Sequence, residues 1–154
     1  MSGSAFEIHV VTAAAASLLD QLDDDVFDQD VQPDLLREFL ASPSHVLVVA
    51  VWSTQVVGMA TGVVHVHPDK PRSLFINEVG VSRRFHRRGI GRGLIAAILD
   101  WGRTRGCVEA WVAAEAGDIA AQSFYEATGG IAEDEHAVVY VYPLAAGPPA
   151  GSDA

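Results

Sequence analysis

The sequence is poor in several of the features by which protein classes are recognised. Cys107 is its only cysteine, which excludes an internal disulfide and is typical of a reducing compartment, so we expect a cytoplasmic location. The longest apolar run, from Val46 to Trp52, is far shorter than the roughly 20 residues of a membrane-spanning helix, so we expect no membrane partner. The N-terminal stretch MSGSAFEIHV has no basic region followed by an apolar one, and we expect no secretion signal.

Basic residues are also scarce, and most of them lie in one segment. The chain has 10 Lys and Arg against 20 Asp and Glu, for a formal net charge of −10. Most of the basic residues are Arg83, Arg84, Arg87, Arg88, Arg92, Arg103 and Arg105. A chain polarised in this way can bind an anion at one end and a cation at the other, although a solvated acidic face that aids solubility also explains the acids. Because the basic residues occupy one loop and one helix rather than a stripe, we expect no nucleic-acid partner.

The composition and the apolar periodicity indicate one mixed domain. The 154 residues are 49% hydrophobic and 19% charged, which is typical of a globular protein. Alternation predicts strands at 6–10, 46–52, 56–66, 74–81, 108–114 and 137–142, and helical spacing predicts helices at 18–26, 33–41, 94–105 and 119–127. Gly58 and Gly62 mark expected bulges, and HPDKPR is an expected loop. We therefore predict a single α/β domain over residues 1–143, with a mixed central sheet flanked by helices, and a disordered tail at 144–154.

The stretch FHRRGIGRGL (85–94) lies between a predicted strand and the longest predicted helix. Glycines let backbone N–H groups approach an anion, the helix N-terminus adds about half a positive charge, and arginines donate charge-assisted hydrogen bonds to phosphate oxygens. This favours a pyrophosphate-binding loop over a glycine-rich turn with exposed arginines. No GxxxxGK[ST] pattern is present. A GxGxxG dinucleotide pattern fails at Leu94, where its third glycine belongs, although Glu109 falls near the spacing of the ribose-binding acid.

Two linked motifs lie in the second half of the sequence. The first is RRGIGRGLI, preceded by NEVGVS, in which Gly89 and Gly91 match the pattern Q/R-x-x-G-x-G/A and His86 occupies the Q/R position. The second is GDIAAQSFYEATGG, which matches N-x-x-A-x-x-L/F-Y-x-x-x-G with Asp118 in place of the Asn and Tyr125 as its tyrosine. Together they closely resemble the two motifs of the GNAT superfamily of acetyl-coenzyme A-dependent N-acetyltransferases. The resemblance covers roughly residues 5–143 and implies a GNAT fold.

The resemblance also implies that acetyl-coenzyme A is the cosubstrate. Its pyrophosphate would lie on the backbone amides of residues 86–91, and its pantetheine arm would pair with the backbone of Val79 and Val81 like an added strand. The cofactor-binding residues implied in this way are Val79, Gly80, Val81, His86, Arg87, Arg88, Gly89, Ile90, Gly91 and Arg92.

Within the superfamily, five further segments resemble the type I aminoglycoside 3-N-acetyltransferases: DVQPDLL, VVGMATG, HPDKPR, FINEVGVS and VAAEAGD. This likeness implies direct transfer, in a ternary complex, of an acetyl group to the 3-amino group of a polycationic aminoglycoside, an activity that confers antibiotic resistance. It also implies a homodimer formed through an exposed edge. A polyamine, another small amine or a protein N-terminus is an alternative acceptor. A coenzyme A-binding sensor without catalysis is the alternative outside the enzyme class.

Glu78 is the candidate general base, because an amine that arrives as an ammonium must lose a proton before it attacks a thioester. Strand alternation predicts that Leu74, Ile76, Glu78 and Gly80 share one face, where burial would raise the pKa of the carboxyl group. In the resembling family an acidic residue at this position contacts or deprotonates the amine. The alternative is a structural carboxylate paired with an arginine.

Other candidate residues lie in and before the last predicted helix. The resemblance implies that Tyr125 protonates the departing thiolate, and the alternative is a core aromatic residue. Glu115 and Asp118 are candidate binders of substrate ammonium groups, and the acidic cluster at 20–30 is a candidate far wall of the same site. His65 and His67 lie two apart on a strand but lack a third ligand, so we expect no metal.

Overall fold

The structure is a computed structural model that describes residues 5–133 and 137–145. These residues form two compact units, which divide between Ala113 and Ala114 and are described separately. In chain order the first unit contains β1 (Glu7–Val10), a 3₁₀ segment (Ala13–Asp20), α1 (Pro33–Ala41), β2 (His45–Trp52), β3 (Gln55–His67), β4 (Lys70–Val81), a short 3₁₀ turn (Arg83–Phe85), α2 (Ile90–Thr104) and β5 (Glu109–Trp111). The five strands form one sheet in the order β1-β2-β3-β4-β5. Neighbours are antiparallel except β4 and β5, so the sheet is mixed, as predicted.

The hairpin of β2 and β3 confirms the predicted pair of strands. Register shifts lie beside Gly58 and Gly62, the two glycines that marked expected bulges. The loop predicted for 67–72 is too long, because β3 extends through His67 and β4 begins at Lys70. The two long strands therefore meet in a tight turn, and Pro and Asp at its centre supply the turn chemistry.

α2 packs closely on one face of the sheet because that face carries small residues. The apolar stripe of α2 is buried, with Ile90, Leu94 and Ile98 at most 1% exposed. A Cβ atom placed on Gly58 would lie 3.1 Å from Ile90, and one placed on Gly62 would lie 3.1 Å from Ile98. Larger residues at these two positions would therefore push the helix away from the sheet.

The opposite face of the sheet is covered by α1 and the N-terminal segment. Leu36, Phe39 and Leu40 of α1 pack against a buried cluster formed by Val11, Leu19, Val26, Leu47, Val49, Val56 and Met59. Each fully buried side chain of this kind stabilises the fold by roughly 1.5–3 kcal/mol. The sheet thus has two cores, one on each face, and the site described below opens on the α1 side.

The helix predicted for 18–26 is wrong beyond Asp20, where the 3₁₀ segment ends. After it, the Asp23 amide donates a 2.8 Å hydrogen bond to the Val56 carbonyl oxygen, and the Val56 amide donates a 2.8 Å bond to the Gln21 carbonyl oxygen. These bonds align the segment with the start of β3 and replace the i→i−4 bonds of a helix. Its apolar residues recur at helical spacing because they fill one cluster, not because the backbone is helical.

The second unit contains α3 (Ile119–Ala127), which confirms the last predicted helix. Asp118 caps its N-terminus, where the Oδ1 atom accepts a 2.9 Å hydrogen bond from the Ala121 amide. At the other end, the Gly130 amide donates a 2.8 Å bond to the Tyr125 carbonyl oxygen. The second motif is therefore a short helix with a cap at each end.

The structure does not confirm the last two predicted strands in full. β5 is shorter than the strand predicted for 108–114, and residues 137–142 have no regular secondary structure, so that prediction is wrong. Their large apolar side chains are between 66% and 83% exposed. A strand is stable only beside a partner, and alternation in a sequence cannot show whether the partner is there. The predicted tail at 144–154 falls mostly outside the described residues. Among the described residues, no helix is long and apolar enough to cross a membrane.

Candidate active site

A β-bulge in β4 determines which way the predicted base points. Ile76 pairs with Gly62 of β3 and Glu78 pairs with Thr61, so Asn77 is an extra residue without a cross-strand partner. Gly62 and Thr61 are consecutive residues of one strand and therefore face opposite sides of the sheet. The prediction that Glu78 shares a face with Ile76 is therefore wrong. Ile76 faces α2, whereas Glu78 faces the side that α1 covers.

Glu78 is half-buried on that side of the sheet. Burial raises the pKa of its carboxyl group, and the nearby negative charge of Asp28 raises it further. Within the described part of the chain, no basic side chain forms an ion pair with Glu78. A carboxylate in this environment accepts a proton more readily near neutral pH than an ordinary glutamate does. The environment suits a base and differs from that of an arginine-paired structural carboxylate.

A cleft of about 260 Å³ opens on the same side of the sheet as Glu78. Its lining includes Phe39, His45, Thr61, Phe75 and Asn77. Thr61 is the cross-strand partner of Glu78, and Asn77 is the bulged residue beside it. Aromatic walls with a few polar groups are the usual lining of a site for a small organic molecule. The cleft therefore provides room for a small ring on the side of the sheet that Glu78 faces.

The outer edge of β4 is open beyond Phe75. β5 pairs with β4 only as far as that residue, so no strand of the described chain covers the outer side of Ile76–Val81. The N–H and C=O groups of such an edge can hydrogen-bond an extended chain. His86 Nε2 donates a 2.8 Å hydrogen bond to the Val81 carbonyl oxygen. The residues predicted to bind pantetheine therefore lie on this edge, and they are Val79, Gly80 and Val81.

The loop between β4 and α2 has the backbone geometry of an anion site. Arg87 and Gly89 both adopt left-handed backbone, with φ angles of 60° and 80°. Left-handed residues of this kind turn neighbouring amides into a concave cradle, and glycine adopts the conformation without strain. Near the start of α2, the Gly93 amide donates a 3.0 Å bond to the Gly89 carbonyl oxygen. The amides of residues 90–92 precede that bond, so helix geometry leaves them available to an anion at the positive end of the helix dipole.

Most arginines around the loop already have partners. Three form ion pairs: Arg83 with Asp25, Arg84 with Asp23, and Arg103 with Asp100. Two others stack on aromatic rings, Arg88 over Trp52 and Phe85 and Arg105 over Trp101, and Arg84 also lies over Phe85. Arg87 and Arg92 have no partner of either kind among the described residues. These two guanidinium groups are therefore the ones that are available to a phosphate beside the loop.

The remaining candidate residues belong to the second unit. Tyr125 is half-buried on α3, where burial raises the pKa of its phenol and the charge of Asp118 adds to the effect. The phenol therefore keeps its proton near neutral pH and can donate it. One oxygen of Asp118 is engaged in capping α3, as described above. Glu115 is exposed, and its backbone carbonyl oxygen accepts a 3.0 Å bond from Gln122 Nε2.

The sequence places Asp23 in the acidic cluster at 20–30, but it gives no sign that this residue contacts Ser82 beside the loop. Asp23 and Ser82 are buried and joined by a 2.6 Å hydrogen bond across 59 positions, a separation at which no local pattern signals a contact. Of the histidines, His67 pairs with Asp69 next to the turn. The described ranges contain no group of three or more side chains suited to hold a metal.

Comparison with known proteins identifies the family. The model of the acetyltransferase (GNAT) family matches residues 14–130, which include both motifs. A search of curated proteins gives no significant match. Among solved structures, the aminoglycoside acetyltransferase meta-AAC0020 from an uncultured soil metagenomic sample, in complex with sisomicin, has a TM-score of 0.78 at 22% identity and covers 91% of this chain and 97% of its own.

Two further structures share the fold. AAC(6')-Iy, in complex with the bisubstrate analogue CoA-S-monomethyl-acetylneamine, has a TM-score of 0.74 at 20% identity over 91% of this chain and 99% of its own. Glucosamine-6-phosphate N-acetyltransferase from Arabidopsis thaliana has a TM-score of 0.68 at 15% identity over 88% of this chain and 97% of its own. At such identities the likeness shows the fold, on which different acceptors are used. Since the family model spans well over half of the chain, this chain belongs to the acetyltransferase (GNAT) family and is an N-acetyltransferase with acetyl-coenzyme A as its cosubstrate.

Proposed function

We propose that this N-acetyltransferase acts on an aminoglycoside and acetylates the 3-amino group of its deoxystreptamine-type ring. The observation that carries the proposal is the position of Glu78. Its half-buried carboxyl group, whose pKa is raised by burial and by Asp28, lies at the open edge of β4 and on the same side of the sheet as the cleft. A base with these properties can deprotonate an ammonium group of a ring held in the cleft.

The residues of the chain divide the work of the proposed reaction. Acetyl-coenzyme A supplies the acetyl group as an activated thioester. The loop amides, with Arg87 and Arg92, hold its pyrophosphate, and the open edge of β4 aligns its pantetheine arm. Glu78 takes a proton from the substrate ammonium, which leaves a neutral amine that can attack the thioester carbonyl carbon. Tyr125 gives its phenolic proton to the sulfur as the carbon–sulfur bond breaks. The nitrogen, which carries one proton too many after the attack, loses it to restore the phenol, and Glu78 releases its own proton to solvent, so that the products are the amide and the free thiol.

A polycationic acceptor is favoured by carboxylates that have no arginine partner among the described residues. Asp28 lies near enough to Glu78 to raise its pKa, and Glu115 is exposed in the second unit. Each such group attracts an ammonium and raises the rate of encounter with a multiply charged substrate. Asp118 is a further carboxylate of the second unit, and one of its oxygens caps α3.

A second acceptor position has support from a related fold. AAC(6')-Iy is among the structures that share the fold, so the 6′-amino group competes with the 3-amino group as the proposed position. Polyamines, other small amines and protein N-termini remain as alternative acceptors. A coenzyme A-binding sensor without turnover is the alternative outside the enzyme class.

The test is a panel of amines assayed for release of free thiol from acetyl-coenzyme A. Sisomicin is the central substrate, because it presents both a 3-amino and a 6′-amino group, and spermidine and monoamines are the comparison. NMR of the product then locates the acetyl group. Acetylation at the 3-amino group supports the proposal, and acetylation at the 6′-amino group replaces it with the second position. Turnover of spermidine but of no aminoglycoside, or cofactor binding without any turnover, would overturn it.

A further inference from the structure

Asp23 and Ser82 are the buried polar residues of the described chain. They bond to each other, and Asp23 also pairs with Arg84. Ser82 Oγ donates a 2.6 Å hydrogen bond to Asp23 Oδ2, and Arg84 Nε donates a 2.8 Å bond to the same oxygen. Arg84 Nη2 bonds the other carboxylate oxygen, so the pairing is bidentate. The side chain of Asp23 is 2% exposed, whereas that of Arg84 is 64% exposed. Hydrogen bonds from Arg84 hold the pKa of Asp23 below its ordinary value, so the buried carboxyl group is ionised.

The backbone around Asp23 is held against the start of β3 and, at Val26, against the end of β4. Bonds of 2.8 Å tie the Asp23 amide to the Val56 carbonyl and the Val56 amide to the Gln21 carbonyl. A Cβ atom on Gly80 would lie 2.7 Å from the Val26 carbonyl oxygen, which is closer than such contacts allow. The segment from Gln21 to Val26 is therefore bonded to β3 at Gln21 and Asp23, and at Val26 its backbone lies directly on Gly80 of β4 without a side chain between them.

This contact connects the two halves of the site. In one direction the segment continues to Asp28, whose charge acts on Glu78. In the other direction Ser82 and Arg84 lead into the pyrophosphate loop, where the Ser82 carbonyl oxygen accepts a 2.8 Å bond from the Phe85 amide. We infer that Asp23 is a positioning residue, which fastens the acceptor side of the site to the pyrophosphate loop through Ser82 and Arg84.

The expected effect of Asp23 on the acceptor rests on the proposed function, whereas its expected effect on acetyl-coenzyme A does not. The effect on the acceptor presupposes that Glu78 and Asp28 face the substrate amine. The effect on acetyl-coenzyme A requires only that the loop after Arg84 binds its pyrophosphate. A competing role for Arg84 is direct contact with a phosphate. The bidentate pairing with Asp23 opposes that role, because it engages two of the three guanidinium nitrogens.

The experiment is a double-mutant cycle on Asp23→Asn and Arg84→Gln. Calorimetry gives the Kd for acetyl-coenzyme A, and steady-state kinetics give kcat and the acceptor KM. Asp100→Asn is the matched control, because it removes a carboxylate from an exposed ion pair with Arg103 on α2. Ser82→Ala removes one neutral donor and serves as the milder variant if Asp23→Asn does not fold. Thermal unfolding and circular dichroism check each variant.

We expect Asp23→Asn and Arg84→Gln each to raise the Kd for acetyl-coenzyme A by about tenfold, and the double variant to do no more, because the two residues act as one unit. The acceptor KM should rise as well, whereas Asp100→Asn should change neither value, and Ser82→Ala should give a smaller rise in Kd. A rise in Kd with Arg84→Gln alone would assign Arg84 to the phosphate and overturn the inference. A lower melting temperature with unchanged Kd in both Asp23→Asn and Ser82→Ala would also overturn the inference, because it would show that these residues only stabilise the fold. Absence of turnover by the wild-type enzyme with every aminoglycoside would overturn the proposed function while the Kd measurements still decide the role of Asp23.

Discussion

Replacing Glu78 by Gln removes the proposed base without changing the size of the side chain. In the wild-type enzyme the substrate arrives as an ammonium and Glu78 as a carboxylate, so kcat/KM should be level between the pKa of Glu78 and that of the amine. In the variant only the amine that is already neutral can react. Its fraction rises with pH up to the pKa of the amine, so kcat/KM of the variant should rise with pH over the range where the wild-type value is level.

The size of the effect follows from the same reasoning. General base catalysis by a positioned side chain contributes about 10²- to 10⁴-fold, which sets the expected deficit of Glu78→Gln at neutral pH. Below its pKa, the neutral fraction of an amine rises about tenfold per pH unit. The deficit should therefore shrink by about a hundredfold over two pH units, because the variant gains and the wild-type enzyme does not.

The assay is thiol release from acetyl-coenzyme A with sisomicin as acceptor, measured as kcat/KM across the pH range in which the fold is stable. Glu109→Gln is the matched control, since it neutralises an exposed glutamate on β5 and should leave the profile unchanged. Asp28→Asn should move the acidic limb of the wild-type profile to lower pH, because the charge of Asp28 is one cause of the raised pKa of Glu78. Parallel profiles for the wild-type enzyme and Glu78→Gln would refute the base role and indicate that Glu78 orients the amine.

Three other expectations follow from the same site. Gly91→Glu should weaken acetyl-coenzyme A binding in calorimetry by placing a carboxylate against the pyrophosphate, while Gly91→Ala, which adds no charge, should weaken it much less; equal losses would argue against the anion cradle. Tyr125→Phe should lower kcat and leave the Kd for acetyl-coenzyme A nearly unchanged, and an unaltered kcat would remove the phenol from the mechanism. Added salt should raise the acceptor KM, because exposed charges are screened beyond about 8–10 Å at ordinary ionic strength. Glu115→Gln should reduce this salt dependence, and a KM that does not change with salt would contradict an electrostatic role for the loop that contains Glu115.

The elements that sequence patterns predicted well are those whose pattern has one physical cause. α2 carries a continuous apolar stripe, and the β2–β3 hairpin alternates around a short turn, so local spacing was sufficient. The bulge at Asn77 was not predictable in the same way. Strand alternation assumes an unbroken pleat, and one extra residue sends Glu78 to the opposite face from Ile76. The assignment of Glu78 as the base therefore stays a prediction, whereas the prediction of the face on which it lies was wrong.

Contacts between distant segments account for the other errors. Residues 18–26 have helical spacing, but the backbone bonds of Asp23 and Gln21 go to Val56 on β3. Residues 137–142 alternate as a strand does, yet no strand among the described residues pairs with them. In both segments the secondary structure depends on whether a distant segment pairs with the backbone, and the local spacing of apolar residues does not show this.

Ion pairs between distant segments also change what the charge distribution implies about binding. The sequence places acids near the N-terminus and arginines near position 90, which by itself suggests an anion site and a separate cation site. In the structure Asp23 pairs with Arg84 and Asp25 with Arg83, so part of each cluster neutralises the other. The charges left at the site are those of Arg87 and Arg92 beside the loop amides, and that of Glu78 with Asp28 near it. Because exposed charges are screened beyond about 8–10 Å at ordinary ionic strength, the salt dependence of KM should reflect a few nearby carboxylates rather than the net charge of −10.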